Sequence, residues 1–269
     1  MQELMYDVNS LLIALLLFLS MLLAIEIGYR LGLRIMPTVG DDFKAHVNAT
    51  SASLLGILAL LLGFTFSLSL QRYDSRSEAV VDEANAIGTA YLRAQLLAEP
   101  QRTQTLALLR KYVDLRVRTG NVDLTEHAER AALNAEAGRM QAKLWDYARQ
   151  ANAAAPSPVT TGLFIPALND LIDNFGKRDA EMNRHVPEFV LLLLYMTFLM
   201  TGAVVGYATG LAGHRASFVT HAMVGLIVVL VFIIVDLDRP HRGLIRVSQD
   251  SLAGLQAAMR EPVGNSGRE

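Results

Sequence analysis

The residues best placed to do chemistry in this chain lie along one stretch, from Thr65 to Thr89. Taken in steps of three and four, Thr65, Ser69, Arg72 and Arg76 share one face of a helix, and Ser67, Gln71, Asp74, Glu78, Asp82, Asn85 and Thr89 share another. Hydroxyls inside a membrane span, followed by charges at its mouth, are what a water-filled path requires, because polar surface at that depth is tolerated mainly where it is buried or lines a cavity. If several copies met around this helix, the first stripe would form rings of arginine favouring anions, and the second rings of carboxylate favouring cations. The spacing leaves open which stripe faces the axis. It leaves open a packing role as well, since Ser and Thr in spans commonly serve interhelical hydrogen bonds, and Arg72 and Arg76 could pair with Asp74 or Glu78.

Three other groups carry potential chemistry. Asp236 and Asp238, with Arg239, could form an ion-pair cluster or a site for a hard cation such as calcium, although two carboxylates fall short of the six to eight oxygens calcium takes. Gly202, Gly206 and Gly210 form a GxxxGxxxG ridge suited to close helix contact, within one chain or between chains. Glu26 is a carboxylate near a span end, with Arg30 one turn on to neutralise it, and His221 sits just inside another span. No HExxH spacing, nucleophile–base pair or phosphate loop is present, so the expectation is a protein that is not an enzyme and holds no cofactor.

The elements that position these residues follow from composition. Four stretches, 11–29, 52–70, 189–211 and 218–235, contain one formally charged side chain, Glu26. The other 49 of the 50 charged residues fall in the remaining 190, about 26%, which is the density of an ordinary soluble domain. Each stretch has about the length that crosses a hydrocarbon core, roughly 17–25 residues, so four membrane spans are predicted. The absence of cysteine excludes disulfides and Cys-based zinc or redox sites. A formal net charge of −2 offers no basic footprint for nucleic acid. Glu3 and Asp7, with no Lys or Arg before residue 11, argue against a cleaved signal and for a permanent first anchor.

Between the spans the pattern is helical throughout. The organisation expected is a membrane hairpin over 1–70, a helical water-facing domain over 71–188, a second hairpin over 189–236 and a tail over 237–269. Pro37 and Gly40-Asp41-Asp42 mark a polar hairpin over Arg30 to Ser51. Val80, Ala84, Ile87 and Tyr91 form a helical stripe that Pro100 ends. A helix over Gln101 to Thr119 follows, with Leu106, Leu109, Val113 and Val117 on one face. Asp123 and Glu126 resemble a capping box for a helix over Leu124 to Ala151 that buries Leu133, Met140, Leu144 and Trp145. A last helix from Gly162 presents Leu168, Leu171, Ile172 and Phe175. No stop signal separates Leu70 from Gln71, so one helix can run from Ser51 to Ala98, about 70 Å at 1.5 Å per residue. Basic residues flanking the spans number eight on the side of the termini and insert and four on the other, which places that first side in the cytoplasm. The basic residues around the first span alone point the other way.

The run Leu62-Gly63-Phe64-Thr65-Phe66-Ser67, then Arg72-Tyr73-Asp74, then Asp82 through Tyr91, with Leu168-Asn169-Asp170 and the late Asp236-Leu237-Asp238-Arg239-Pro240, resembles the bacterial bestrophin-like domain family. More distantly it is similar to the bestrophins, pentameric anion channels whose long second helix lines a neck. The resemblance implies a homopentamer in the lipid bilayer of a bacterial inner membrane conducting inorganic ions, with anions as the candidate, and with Thr65, Ser67 and Ser69 lining the path, Phe64 and Phe66 forming a constriction, and Arg72, Arg76, Asp74, Glu78 and Asp82 forming a charged mouth. The chain departs from the bestrophins in lacking their paired tryptophans, and keeps at most Asp236 and Asp238 of their calcium cluster. The competing expectation is a non-conducting scaffold or sensor whose helical insert binds a partner or ligand.

Overall fold

The break between the first two helices is made by Pro37, which cannot donate a backbone bond and sits in a single 3-10 turn, Met36–Thr38. In the computed structural model, which describes residues 10–122, 126–184, 186–238 and 245–260, α1 covers Ser10–Ile35 before this turn and α2 covers Asp41–Ala94 after it. The polar hairpin expected over Arg30 to Ser51 therefore shrinks to a few residues. Asp41 and Asp42 open α2 ten residues early, where carboxylates favour the positive end of the helix dipole. The same helix ends at Ala94, short of Pro100, in overlapping tight turns over Gln95 to Leu97.

The remaining elements are α3 (Gln101–Gly120), α4 (His127–Ala154), α5 (Thr161–Met182), α6 (Glu188–Leu211), α7 (Phe218–Leu237) and α8 (Asp250–Arg260). No strand occurs among the described residues. Among the described residues, four helices are long and apolar enough to cross a membrane, falling at 11–38, within 41–94, at 189–211 and at 218–237. Two compact units result, one of residues 10–72, 186–238 and 245, the other of 73–122, 126–184 and 246–260.

In the membrane unit the glycine ridge of α6 lies against α1 of the same chain. A Cβ at Gly206 would collide with the carbonyl of Ile25, and one at Gly210 with that of Tyr29. The contact is reciprocal, since Gly28 and Gly32 of α1 meet the backbone of Ala203 and Tyr207. Without a hydrophobic drive between helices in lipid, such close backbone approach supplies the dispersion contacts that hold them. Leu17, Met21, Leu58, Phe198, Val224 and Ile234 fill the core between the spans. Gly213, at φ +76°, ends α6 in a conformation that only glycine adopts cheaply.

The second unit is a soluble-type core. Val80, Ala84, Ile87 and Tyr91 of α2 pack with Leu109, Val113, Leu133, Leu144, Leu168 and Leu171, as their spacing predicts. Trp145 departs from expectation and is exposed. The buried stripe of α4 runs through Ala137, Gln141, Leu144, Ala148 and Ala151, and the residue after Leu144 points about 100° away from it. Glu126 stands at the N-cap of α4 without a side-chain cap bond, and Asp123 lies outside the described residues. Beyond the spans, α8 adds Leu252 and Met259 to this core, an element the tail's sequence did not announce.

Candidate functional site

The two polar stripes of α2 meet opposite fates. Thr65 and Ser69 are buried, the Thr65 hydroxyl donating to the carbonyl of Leu61 at 2.7 Å, and Arg72 is half-buried. Arg76 is wholly buried and donates to the carbonyls of Glu181, at 3.2 Å, and Arg184. Helix ends leave carbonyls without intrahelical partners, and a buried guanidinium carries donors enough to satisfy several of them. Arg76 thus closes the C-terminal end of α5.

The second stripe stays open. Ser67, Gln71, Asp74, Glu78, Asn85 and Thr89 are exposed and Asp82 is half-exposed. Phe64, at 62% exposure, continues this face into the span, with Leu60 and Ile57 one and two turns further. Phe66 instead packs against the core of the membrane unit. Of the residues expected along a path, the structure brings Phe64, Ser67, Asp74, Glu78 and Asp82 onto one uncovered face. It leaves Thr65, Phe66, Ser69 and Arg76 on covered ones.

Next to the open face lies an ion pair that the periodicity did not reveal. Lys177 of α5 donates through Nζ to Asp82 Oδ2 at 2.8 Å, both side chains being about half exposed. Asp82 holds the Lys177 ammonium above its ordinary range, with Glu78 and Glu181 adding to the effect.

Behind the open face, Glu83 is fully buried between two arginines. Arg116 Nε donates to Glu83 Oε1 at 2.6 Å, and Arg178 donates to Glu83 Oε2. Arg116 also stacks on Phe175, 4.7 Å from the ring centre, and Arg178 donates to Gln249 at 2.8 Å. Burial lowers the Arg178 pKa and the charge of Glu83 works against it, while burial and then Glu83 push Tyr112 above its usual range. Tyr112 accordingly stays a neutral phenol accepting from Gln141 at 2.9 Å. A signal for this cluster was present: Glu83 falls between Val80 and Ile87 on the core stripe, where a carboxylate requires a cation.

Asp236 and Asp238 are buried and serve the backbone. Asp236 accepts from the amide of Ile245 at 3.0 Å, and both oxygens of Asp238 accept from the amide of Val186. Arg239 lies outside the described residues. No group of three or more metal-ligating side chains occurs among the described residues. Glu26 accepts from Arg30 at 2.8 Å, and His221 bonds the carbonyl of Ser217 at the start of α7.

The model of the bestrophin-like domain family matches residues 21–252. Crystal structures of variants of a bacterial bestrophin homologue from Klebsiella pneumoniae superpose on this chain. One gives a TM-score of 0.67 at 18% identity, covering 91% of this chain and 96% of that one. Another gives 0.66 at 16% identity, covering 93% and 97%. A third similar structure, described as a membrane protein, gives 0.65 at 17% identity over 93% of this chain and 97% of that one. At these identities the likeness is one of fold. No curated protein matches the chain.

Proposed function

Because the chain belongs to the bestrophin-like domain family, whose model spans 21–252, we propose that it is an oligomeric ion channel whose path is lined by the open face of α2. The observation that carries this reading is the sorting of the two stripes. In a monomer, a row of seven polar or charged positions ending in exposed Phe64, Leu60 and Ile57 is left uncovered apart from Lys177 at Asp82. Around a symmetry axis the same row becomes a hydrated wall with an apolar narrowing at Phe64 and Leu60. The assembly is a homopentamer in a bacterial inner membrane, with the termini and the helical unit in the cytoplasm.

The sorting also bears on the ion. Arginine rings would favour anions, but Arg76 is occupied with the end of α5. The open face carries Asp74 and Glu78, which form no hydrogen bond or ion pair among the described residues, so the path attracts cations. The protein conducts monovalent cations, with Phe64 and Leu60 as the dewetting constriction.

Reconstituted protein in planar bilayers under a potassium chloride gradient is expected to reverse near the potassium potential. Asp74→Asn/Glu78→Gln, which removes two exposed charges per subunit, should lower the cation-to-anion permeability ratio by roughly tenfold at 0.1 M salt and much less at 1 M, where the Debye length is about 3 Å. Particle images showing α2 away from any axis, together with no current from folded protein, would remove the channel reading.

A further inference from the structure

The open face of α2 carries three carboxylates in consecutive turns, Asp74, Glu78 and Asp82, and one of them is matched by a cation from another helix. We infer that Lys177 is a tethered counter-cation that sets the ion preference of this face by occupying Asp82, a role that rests on α2 lining the path. Its ammonium sits 2.8 Å from Asp82 Oδ2. Glu78 and Glu181 add to the pull of Asp82 on the same ammonium, two of these carboxylates coming from α2 and one from α5. Glu181 is itself engaged by Arg184 at 2.6 Å. A mobile cation passing along α2 would meet the same oxygens, and Lys177 competes with it for them.

The pair has the marks of a charge-setting device rather than a structural clamp. Half-exposed ion pairs contribute little to folding, and the unit already holds its helices together through the buried Glu83, Arg116 and Arg178 cluster. The formal charge that each subunit presents along this face is −2 with Lys177 counted beside Asp74, Glu78 and Asp82, and −3 without it. Fixed charge of this kind acts over about 10 Å at 0.1 M salt, the scale of a narrow path.

The test is ion preference in planar bilayers with purified full-length protein and potassium chloride as the probe salt. Lys177→Gln is expected to raise the cation-to-anion permeability ratio roughly three- to tenfold at 0.1 M salt, with the difference collapsing at 1 M. Asp82→Asn, which leaves the lysine uncompensated, moves the ratio the opposite way. The double variant Asp82→Asn/Lys177→Gln restores −2 and returns the ratio near the wild-type value, a rescue that a merely structural pair has no reason to give. If wild type conducts and the two single variants share its ion preference, the inference is overturned while the channel reading stands. If folded wild type passes no current, both fall together.

Discussion

In a Glu83→Gln variant the helical unit is expected to lose about 3–5 kcal/mol of unfolding stability, the range found when one partner of a buried ion pair is removed. Both guanidiniums beside Glu83 are nearly inaccessible, with side chains 3% and 4% exposed. Each would keep its charge and lose the one carboxylate that bonds it among the described residues. Glutamine offers one neutral carbonyl where two charged oxygens served two cations, so desolvation stands uncompensated. The loss tells on the whole unit, because the cluster ties α2, α3 and α5 together and reaches the segment before α8 through Gln249. The chain's single tryptophan, Trp145 of α4, reports on this unit directly, so urea unfolding can be followed by its fluorescence. Replacing the three charges together, as Glu83→Leu/Arg116→Met/Arg178→Met, should cost less than half as much as the single change, since no buried charge is then left alone. A single variant within 1 kcal/mol of wild type would show that the cluster is hydrated and weakly coupled to the fold.

The second large effect is expected at Gly206. Adding one methyl there sets it against the backbone carbonyl of Ile25, and a backbone in a helix cannot step aside as a side chain does. Gly206→Ala should therefore push α1 and α6 apart and cost about 1–3 kcal/mol or more. Gly202→Ala provides the contrast, because its Cβ would meet the Met21 thioether, the end of a flexible side chain able to change rotamer. That variant should cost under about 1 kcal/mol. Gly225 has nothing within 4 Å of the added methyl, so Gly225→Ala should be neutral or stabilise α7 by up to about 1 kcal/mol through helix propensity alone. Thermal unfolding in one detergent ranks the three variants. Equal losses at Gly206 and Gly202 would contradict intrachain packing of the ridge as the source of the effect.

These two sites differ in how plainly they could be read beforehand. The glycine ridge is evident from its spacing, yet its partner is not, since a small-residue stripe fits any helix that comes near. The partner proves to be α1, whose own Gly28 and Gly32 complete the contact. Glu83 could have been noticed as a carboxylate on an apolar stripe. Its two cations lie 33 and 95 residues further on, and no local pattern selects Arg116 and Arg178 from the other basic residues. Trp145 shows the converse limit: it is large and apolar enough to suggest burial, but a helix face is set by angle, and Leu144 takes the inward place.

What the sequence by itself determined is whatever depends on short range. The spans follow from apolar runs of bilayer length, and the passage of α2 out of the apolar zone without a break follows from the absence of a helix stop at Leu70-Gln71. The presence of two polar stripes follows from a 3.6-residue period. Which stripe remains open was decided only by tertiary structure. Arg76 is withdrawn from the surface by the carbonyl of Glu181, 105 residues away, and Lys177 is brought to Asp82 from a distance of 95. Periodicity relates a residue to its neighbours three and four positions on; covering a face requires a partner from elsewhere in the chain, and only the folded chain supplies one.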